Sequence, residues 1–225
     1  MVEKPLTIED MKKVVIAGGS GMIGSLVLEQ CLSSSEIGQV TSLVRKKSNR
    51  EHAKLHEVVI ENFTDYSERT EPFENIDISF FCIGVYTGQV PDKKFKEITV
   101  DYAVAFAEAV KKGNPDATFC LLSGAGADRS EKSRTSFAKY KGMAENQISA
   151  LGLNFYSFRP AYIYPVTPRQ EPNVMYRISR ALYPLIRLMG ANGSITSTEL
   201  AQGMFKVGLN GADTEILENK TILEL

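Results

Sequence analysis

The chain has 225 residues, 43% of them apolar and 24% charged, with a formal net charge of −1. That length suffices for one large domain with a core of its own, and the composition excludes a disordered chain. The near-zero charge argues against a general nucleic-acid binder or membrane-surface protein, and no apolar run approaches the roughly 18 residues that a membrane span needs.

Residues 12–18, KKVVIAG, are a short β-branched run ending in glycine and read as a buried strand. Residues 22–32 carry apolar side chains at helical spacing. Two further strands are expected at 39–45 and 56–62, and a fourth at 77–84, again ending in glycine. Residues 95–113 read as one long amphipathic helix with lysines in its last turn and a glycine C-cap. A fifth strand follows at 117–124, a helix at 134–150 and a sixth strand at 153–160. Residues 174–189 form an apolar helical face interrupted by Pro184, with Arg177, Arg180 and Arg187 elsewhere on the helix. This reads as a cap over a substrate cleft, or else as a basic interfacial helix. A last helix at 197–211 is expected to start at a cap on Ser197 or Thr198, and the tail to end in a strand or docking segment.

Strands apolar throughout and separated by helices imply a parallel sheet covered on both faces. The fold class is therefore α/β, a doubly wound Rossmann sheet in a single domain spanning 1–225, with 165–225 as a C-terminal substrate or partner segment. Ligands of such folds sit beyond the carboxyl ends of the strands.

The first such end carries Gly18, Gly21 and Gly24, directly after a strand and opening a helix. A Cβ at these places would block the turn, the approach of a pyrophosphate or helix–strand packing. Ser20, Met22 and Ile23 lie in the same turn, where free N–H groups and the helix dipole favour phosphate. After the second strand a carboxylate that would grip a ribose 2′-hydroxyl is missing. Arg45 stands there, followed by Lys46 and Lys47. Positive charge in that place fits a 2′-phosphate, hence NADP(H); the two lysines read more simply as solvated charges. After the third strand, Asn62 is placed to bond an adenine and Phe63 to pack on it, or else they are a turn residue and a core residue.

With "GGSGMIG", "LVR", "FFCIG", "VDY", "LLSGAGAD", "FAKYKGMAE" and "FRPAYIY" in this order from about residue 12 to 172, the chain resembles the atypical short-chain dehydrogenase/reductase superfamily. Within it the chain is most similar to the Tat-interacting-protein-like group, which shares features with NmrA-like proteins. The resemblance implies a dinucleotide cofactor, with Cys82, Ile83, Gly84 and Pro160 beside it. It also implies Ser123 as the catalytic serine that polarises a carbonyl and Lys141 as the catalytic lysine that holds the nicotinamide ribose.

The pattern breaks four residues before Lys141. Phe137 stands where the superfamily has a tyrosine, on the helix face shared with the lysine. Phenylalanine has no proton to give to an alkoxide. Tyr140 points about 100° away around the helix; Tyr86, Tyr162 and Tyr164 are other acids to consider. On this reading Phe137→Tyr alone would restore an acid. Two functions remain open: a slow NADP(H)-dependent reductase of a small carbonyl or flavin-like substrate, and a non-catalytic NADP(H)-sensing regulator that binds a protein partner.

The remaining polar residues point elsewhere. Cys31, Cys82 and Cys120 lie inside apolar runs, which suits reduced thiols in a cytoplasmic protein, and no export leader opens the chain. His52 and His56 read as surface residues, and no residue cluster has metal-ligand spacing.

Overall fold

The first two apolar runs form β1 (Lys12–Ala17) and β2 (Ile37–Val44), with α1 (Met22–Ser33) between them, in a computed structural model that describes residues 11–167, 183 and 193–225. β3 (Leu55–Val59) follows, then a 3₁₀ turn at Glu71–Phe73 and β4 (Ile78–Phe81). The expected long helix is three pieces: α2 (Asp92–Lys96), a π-helical stretch (Glu97–Asp101) and α3 (Tyr102–Gly113). β5 (Thr118–Leu122), α4 (Ser136–Ser149) and β6 (Asn154–Arg159) complete the alternation. Beyond them come β7 (Tyr162–Tyr164), β8 (Ser194–Thr196), α5 (Ser197–Asn210), β9 (Ile216–Glu218) and α6 (Asn219–Leu223).

Seven strands join in the order β3-β2-β1-β4-β5-β6-β9, and every pairing is parallel. β7 and β8 pair separately as a small parallel ribbon. The α/β doubly wound Rossmann fold is thus present, with its switch point between β1 and β4, where the chain reverses its direction of travel across the sheet.

The strands read as continuous apolar runs because alternate residues enter different cores. Val14 and Ile16 pack under α1 and α5, with Phe80, Cys120, Met204 and Val207. Val15 and Ala17 face the other way, into an aromatic-rich cluster with Phe81, Phe106 and Phe119. Phe106 is its hub, with ring centroids 5.6 Å from Phe73, 5.6 Å from Phe81 and 5.7 Å from Phe119.

α5 starts at Ser197 as expected, but its cap is the residue before it rather than Ser197 or Thr198. Thr196 is the N-cap, accepting from the Glu199 N–H, while the Glu199 carboxylate accepts from the Thr196 N–H: a complete capping box. The tail adds β9 to the sheet edge at β6 and then folds α6 beneath α5. The basic apolar segment at 174–189 lies outside the described residues except for Tyr183, whose ring stacks on Tyr164 with centroids 3.8 Å apart.

Candidate functional site

At the β1–α1 turn Gly18 has φ +90°, which L side chains rarely adopt. A Cβ there would come within 2.7 Å of the Cys82 carbonyl carbon, because the turn lies directly on the end of β4. A Cβ on Gly24 would meet the Gly18 carbonyl oxygen at 2.1 Å. The turn closes through the Gly21 N–H to Gly18 O bond of 2.9 Å, and the first intrahelical bond runs from the Ser25 N–H to Gly21 O. The N–H groups of Met22, Ile23 and Gly24 therefore precede the helical ladder and have no partner within it. Ser20 and Gly21 are exposed at the tip of the turn, while Ile23 is buried in the core behind it. A loop that close approach forbids to side chains, with free donors at a helix start, fits the pyrophosphate of a dinucleotide.

Beyond the carboxyl ends of β4, β5 and β6 opens a cleft of about 460 Å³. It brings together Gly21, Met22 and Ile23 from the turn, Cys82, Ile83 and Gly84 after β4, Ser123 after β5, Lys141 from α4 and Pro160 after β6. Phe137, Gly124, Tyr86 and Tyr162 complete its walls. Arg45 lies at the carboxyl end of β2, exposed. A second groove of about 540 Å³ runs along α3 and the 64–74 loop and contains none of the residues nominated from the sequence.

Asn62 is exposed, and its side-chain oxygen accepts from the Thr64 N–H at 3.0 Å and the Thr64 hydroxyl at 2.7 Å. It holds a turn, and only its amide N–H₂ is left for a ligand. Phe63 is 5% exposed and packs on Tyr66 and Tyr102, with the Tyr102 ring stacked at 5.7 Å. Its ring belongs to the core, not to an adenine face. β3 ends at Val59, so the chain has already turned inward when it reaches Phe63.

Ser123 does not aim its proton into the cleft. Its hydroxyl donates to the Glu145 carboxylate at 2.6 Å. Glu145 is fully buried and also accepts from the Ser157 hydroxyl at 2.7 Å and from Arg159 Nε at 3.0 Å. Arg129 closes the cluster through Nε at 3.2 Å and pairs with Glu215. Burial pushes the Glu145 carboxyl up, but bonds from Arg159, Ser123 and Ser157 outweigh it and hold the group below the usual carboxylate range. With its proton on Glu145, Ser123 offers acceptor lone pairs to the cleft, and donating to a carbonyl would require its hydroxyl to turn away from that carboxylate.

Lys141 Nζ donates to the Leu122 carbonyl at 2.8 Å. Burial lowers its pKa to about 8, partly offset by the negative charge of Glu145. It remains an ammonium at neutral pH, with further N–H donors at the cleft wall.

Phe137 places its ring tip against Gly124. A Cβ on Gly124 would lie 2.6 Å from Phe137 Cζ, and 3.5 and 3.6 Å from Cε1 and Cε2. The near-equal outer distances mean that the long axis of the ring points at that Cβ position. A tyrosine hydroxyl, one bond beyond Cζ, would run into the Gly124 backbone. Phe137→Tyr must therefore shift the ring off Gly124 before its hydroxyl can be accommodated. Tyr140 is no substitute, as its hydroxyl donates to Asp92 at 2.6 Å.

Gly124 and Glu145 went unnoticed in the sequence. Glu145 had a signal: it follows Lys141 by four residues, on the same helical face. Gly124 had none beyond its position after a strand.

The other candidates lie outside the chemistry. His52 and His56 are exposed. The three cysteines are free and buried, and burial pushes Cys31 and Cys82 up to about 12. Among the described residues no cluster could hold a metal ion, and no helix is long and apolar enough to cross a membrane.

A parallel sheet with a side-chain-excluding glycine turn at its switch point, and a cleft beyond the strand ends, defines a dinucleotide-binding Rossmann protein. The chain belongs to the NAD(P)H-binding family, whose model matches residues 18–207. It is 29% identical over 220 residues to Protein HTATIP2 of Rattus norvegicus, covering 95% of this chain and 89% of that one. Its fold is similar to that of Gre2 from Candida albicans, solved with NADPH, at a TM-score of 0.70 and 13% identity over 92% of this chain and 77% of that one. The Bordetella bronchiseptica enzyme WbmH, solved with NAD⁺, gives a TM-score of 0.68 and 18% identity over 92% of this chain and 75% of that one.

Proposed function

We propose that this protein is an NADP(H)-preferring reductase whose acceptor needs no proton from the protein, such as a flavin-like ring, in preference to a small carbonyl. The observation that carries the reading is the wall opposite the glycine turn. Phe137 stands in the acid position with its ring tip on Gly124, and Ser123 donates to Glu145. A reduced nicotinamide bound there supplies a hydride. Lys141 offers N–H donors for its ribose, while Met22, Ile83 and Phe137 give the acceptor side an apolar lining. An isoalloxazine takes a hydride as a delocalised anion, so that step is complete without an acid. A simple carbonyl becomes a localised alkoxide and loses the 10²–10⁴-fold that a positioned acid typically contributes.

The test is steady-state oxidation of NADPH with free flavin and with a panel of small aldehydes and ketones. Turnover confined to the flavin is the expected result, and faster turnover of a carbonyl would overturn it. Calorimetric binding of NADPH with no turnover of any acceptor would favour the regulator, for which cofactor occupancy orders a surface for a protein partner.

The preference for NADP(H) rests on this chain's own Arg45, because the solved neighbours include both NADPH and NAD⁺ complexes. Arg45 is exposed at the end of β2, and no carboxylate stands beside it in sequence. Losing a charge-assisted bond to a 2′-phosphate costs about 1.5–3 kcal/mol, or roughly 10- to 150-fold in affinity. Arg45→Ala should lower NADP(H) binding by that factor in calorimetry and leave NAD(H) nearly unchanged. Equal losses for the two cofactors would remove Arg45 from the site.

A further inference from the structure

We propose that Ser123 and Lys141 together read the edge of an amide or imide, an N–H beside a C=O, with Ser123 as the acceptor and Lys141 as the donor. The proposal rests on the cleft being the dinucleotide site, and it names the ligand chemistry that the floor of the cleft selects.

Three observations support it. The first is direction. Ser123 Oγ lies 2.6 Å from the carboxylate of Glu145, which is fully buried and paired with Arg159 through Nε at 3.0 Å. An ionised carboxylate only accepts, so the single hydroxyl proton of Ser123 is on that side. The second is capacity. Among the described residues none donates to Ser123 Oγ, so its lone pairs are left for the cleft that the residue lines. The third is the neighbour. Lys141 Nζ bonds the Leu122 carbonyl at 2.8 Å, one residue before Ser123. That bond takes one of three N–H donors, and two remain, enough for a ribose hydroxyl and a carbonyl. Lys141 and Glu145 are four residues apart on α4, so one helical face grips two consecutive residues where β5 ends. The cleft thus presents a donor beside an acceptor, which is the complement of an amide edge. An aldehyde or ketone satisfies the lysine alone and has no N–H for Ser123.

Such an edge comes from two sources, the carboxamide of the nicotinamide and the imide of a flavin-like acceptor, and each has its own arm. Calorimetry compares NADP⁺ with its 3-acetylpyridine analogue, in which a methyl group stands in place of the amide nitrogen. Fluorescence titration of the NADP⁺-loaded protein compares lumiflavin with 3-methyllumiflavin. The readout is the affinity ratio of each N–H ligand to its methyl twin. Ser123→Ala should lower that ratio by roughly 2- to 12-fold in at least one arm, the worth of one hydrogen bond. General damage to the fold weakens both twins and leaves the ratio alone, and Glu145 keeps its bonds to Ser157 and Arg159 in this variant. Ser157→Ala, which takes a different hydroxyl from the same carboxylate, should leave both ratios as in wild type. Lys141→Met should weaken both twins, because both keep the carbonyl. Ratios untouched by Ser123→Ala in both arms would overturn the proposal, as would a Lys141→Met variant that binds every ligand as tightly as wild type. Binding needs no turnover, so the two readings fail separately. A protein that shows the ratio but oxidises NADPH with no acceptor is not a reductase and keeps the amide site. One that reduces flavin with ratios indifferent to Ser123→Ala is a reductase without it.

Discussion

Gly24→Ala should abolish measurable dinucleotide binding. The added Cβ would lie 2.1 Å from the Gly18 oxygen, 2.7 Å from the Gly18 carbon and 3.1 Å from Cys82 Cβ. Two of the three obstacles are backbone, in a turn already pressed against β4. Relief requires α1 to back away from the turn, which displaces the N–H groups that face the phosphates. Overpacking of this kind costs about 1–3 kcal/mol of stability. Phosphate recognition suffers more, because several bonds are misplaced together. The expected outcome is a fall of at least about 100-fold in NADPH affinity by calorimetry, near 3 kcal/mol. Gly84→Ala is the control: nothing lies within 4 Å of a Cβ there, so its fold should be untouched. NADPH affinity of Gly24→Ala within a few-fold of wild type would mean that the turn does not hold the cofactor.

Glu145→Ala should cost more stability than any other single change at the site. Its carboxylate is completely buried and is the common acceptor for Ser123, Ser157, Arg159 and Arg129. Removing it takes the acceptor from the Ser123 and Ser157 hydroxyls and breaks a buried ion pair, leaving Arg159 to Glu218 and Arg129 to Glu215, a loss of about 3–5 kcal/mol. For a chain of this size that corresponds to a fall of roughly 6–20 °C in melting temperature. The loss has a pH signature. The folded-state pKa of Glu145 is depressed, by its bonds against the opposing effect of burial. Its stabilisation is therefore fully present above the ordinary carboxylate range and lost as pH falls through the depressed value. Melting curves of wild type and Glu145→Ala should converge as pH is lowered from 7 toward 3. A gap that stays constant over that range would contradict this account.

What the sequence disclosed, and what it hid, follows from the range of the interactions involved. The parallel sheet was legible because residues such as Val14 to Ala17 are apolar without alternation, and the cofactor turn because three glycines follow a strand at once. The cap of α5 was missed by one residue in the run Ile195, Thr196, Ser197, Thr198, although Glu199 three places after Thr196 identifies the capping box. The π-helical stretch Glu97–Asp101 has no local marker. Phe63 could not be placed because its fate depends on where β3 ends. Gly124 facing Phe137, and Glu145 beneath Ser123, are meetings of β5 with α4 that no short-range pattern encodes. Sequence spacing thus revealed the glycine turn and the strand ends without revealing what Ser123 and Phe137 touch.

The packing of α1 against α5 governs how the chain reaches this state during synthesis. α1 emerges from the ribosome early, but Met204 and Val207 of its covering helix are made more than a hundred residues later. Until then Val27, Leu28 and Cys31 have no cover on that face, and the edge of β6 waits for β9. Such long-range closure slows folding and leaves apolar surface open to aggregation in the interval. The apolar face of α1 should therefore stay open until α5 has been made, and a product terminated before that point would lack the means to bury its first helix.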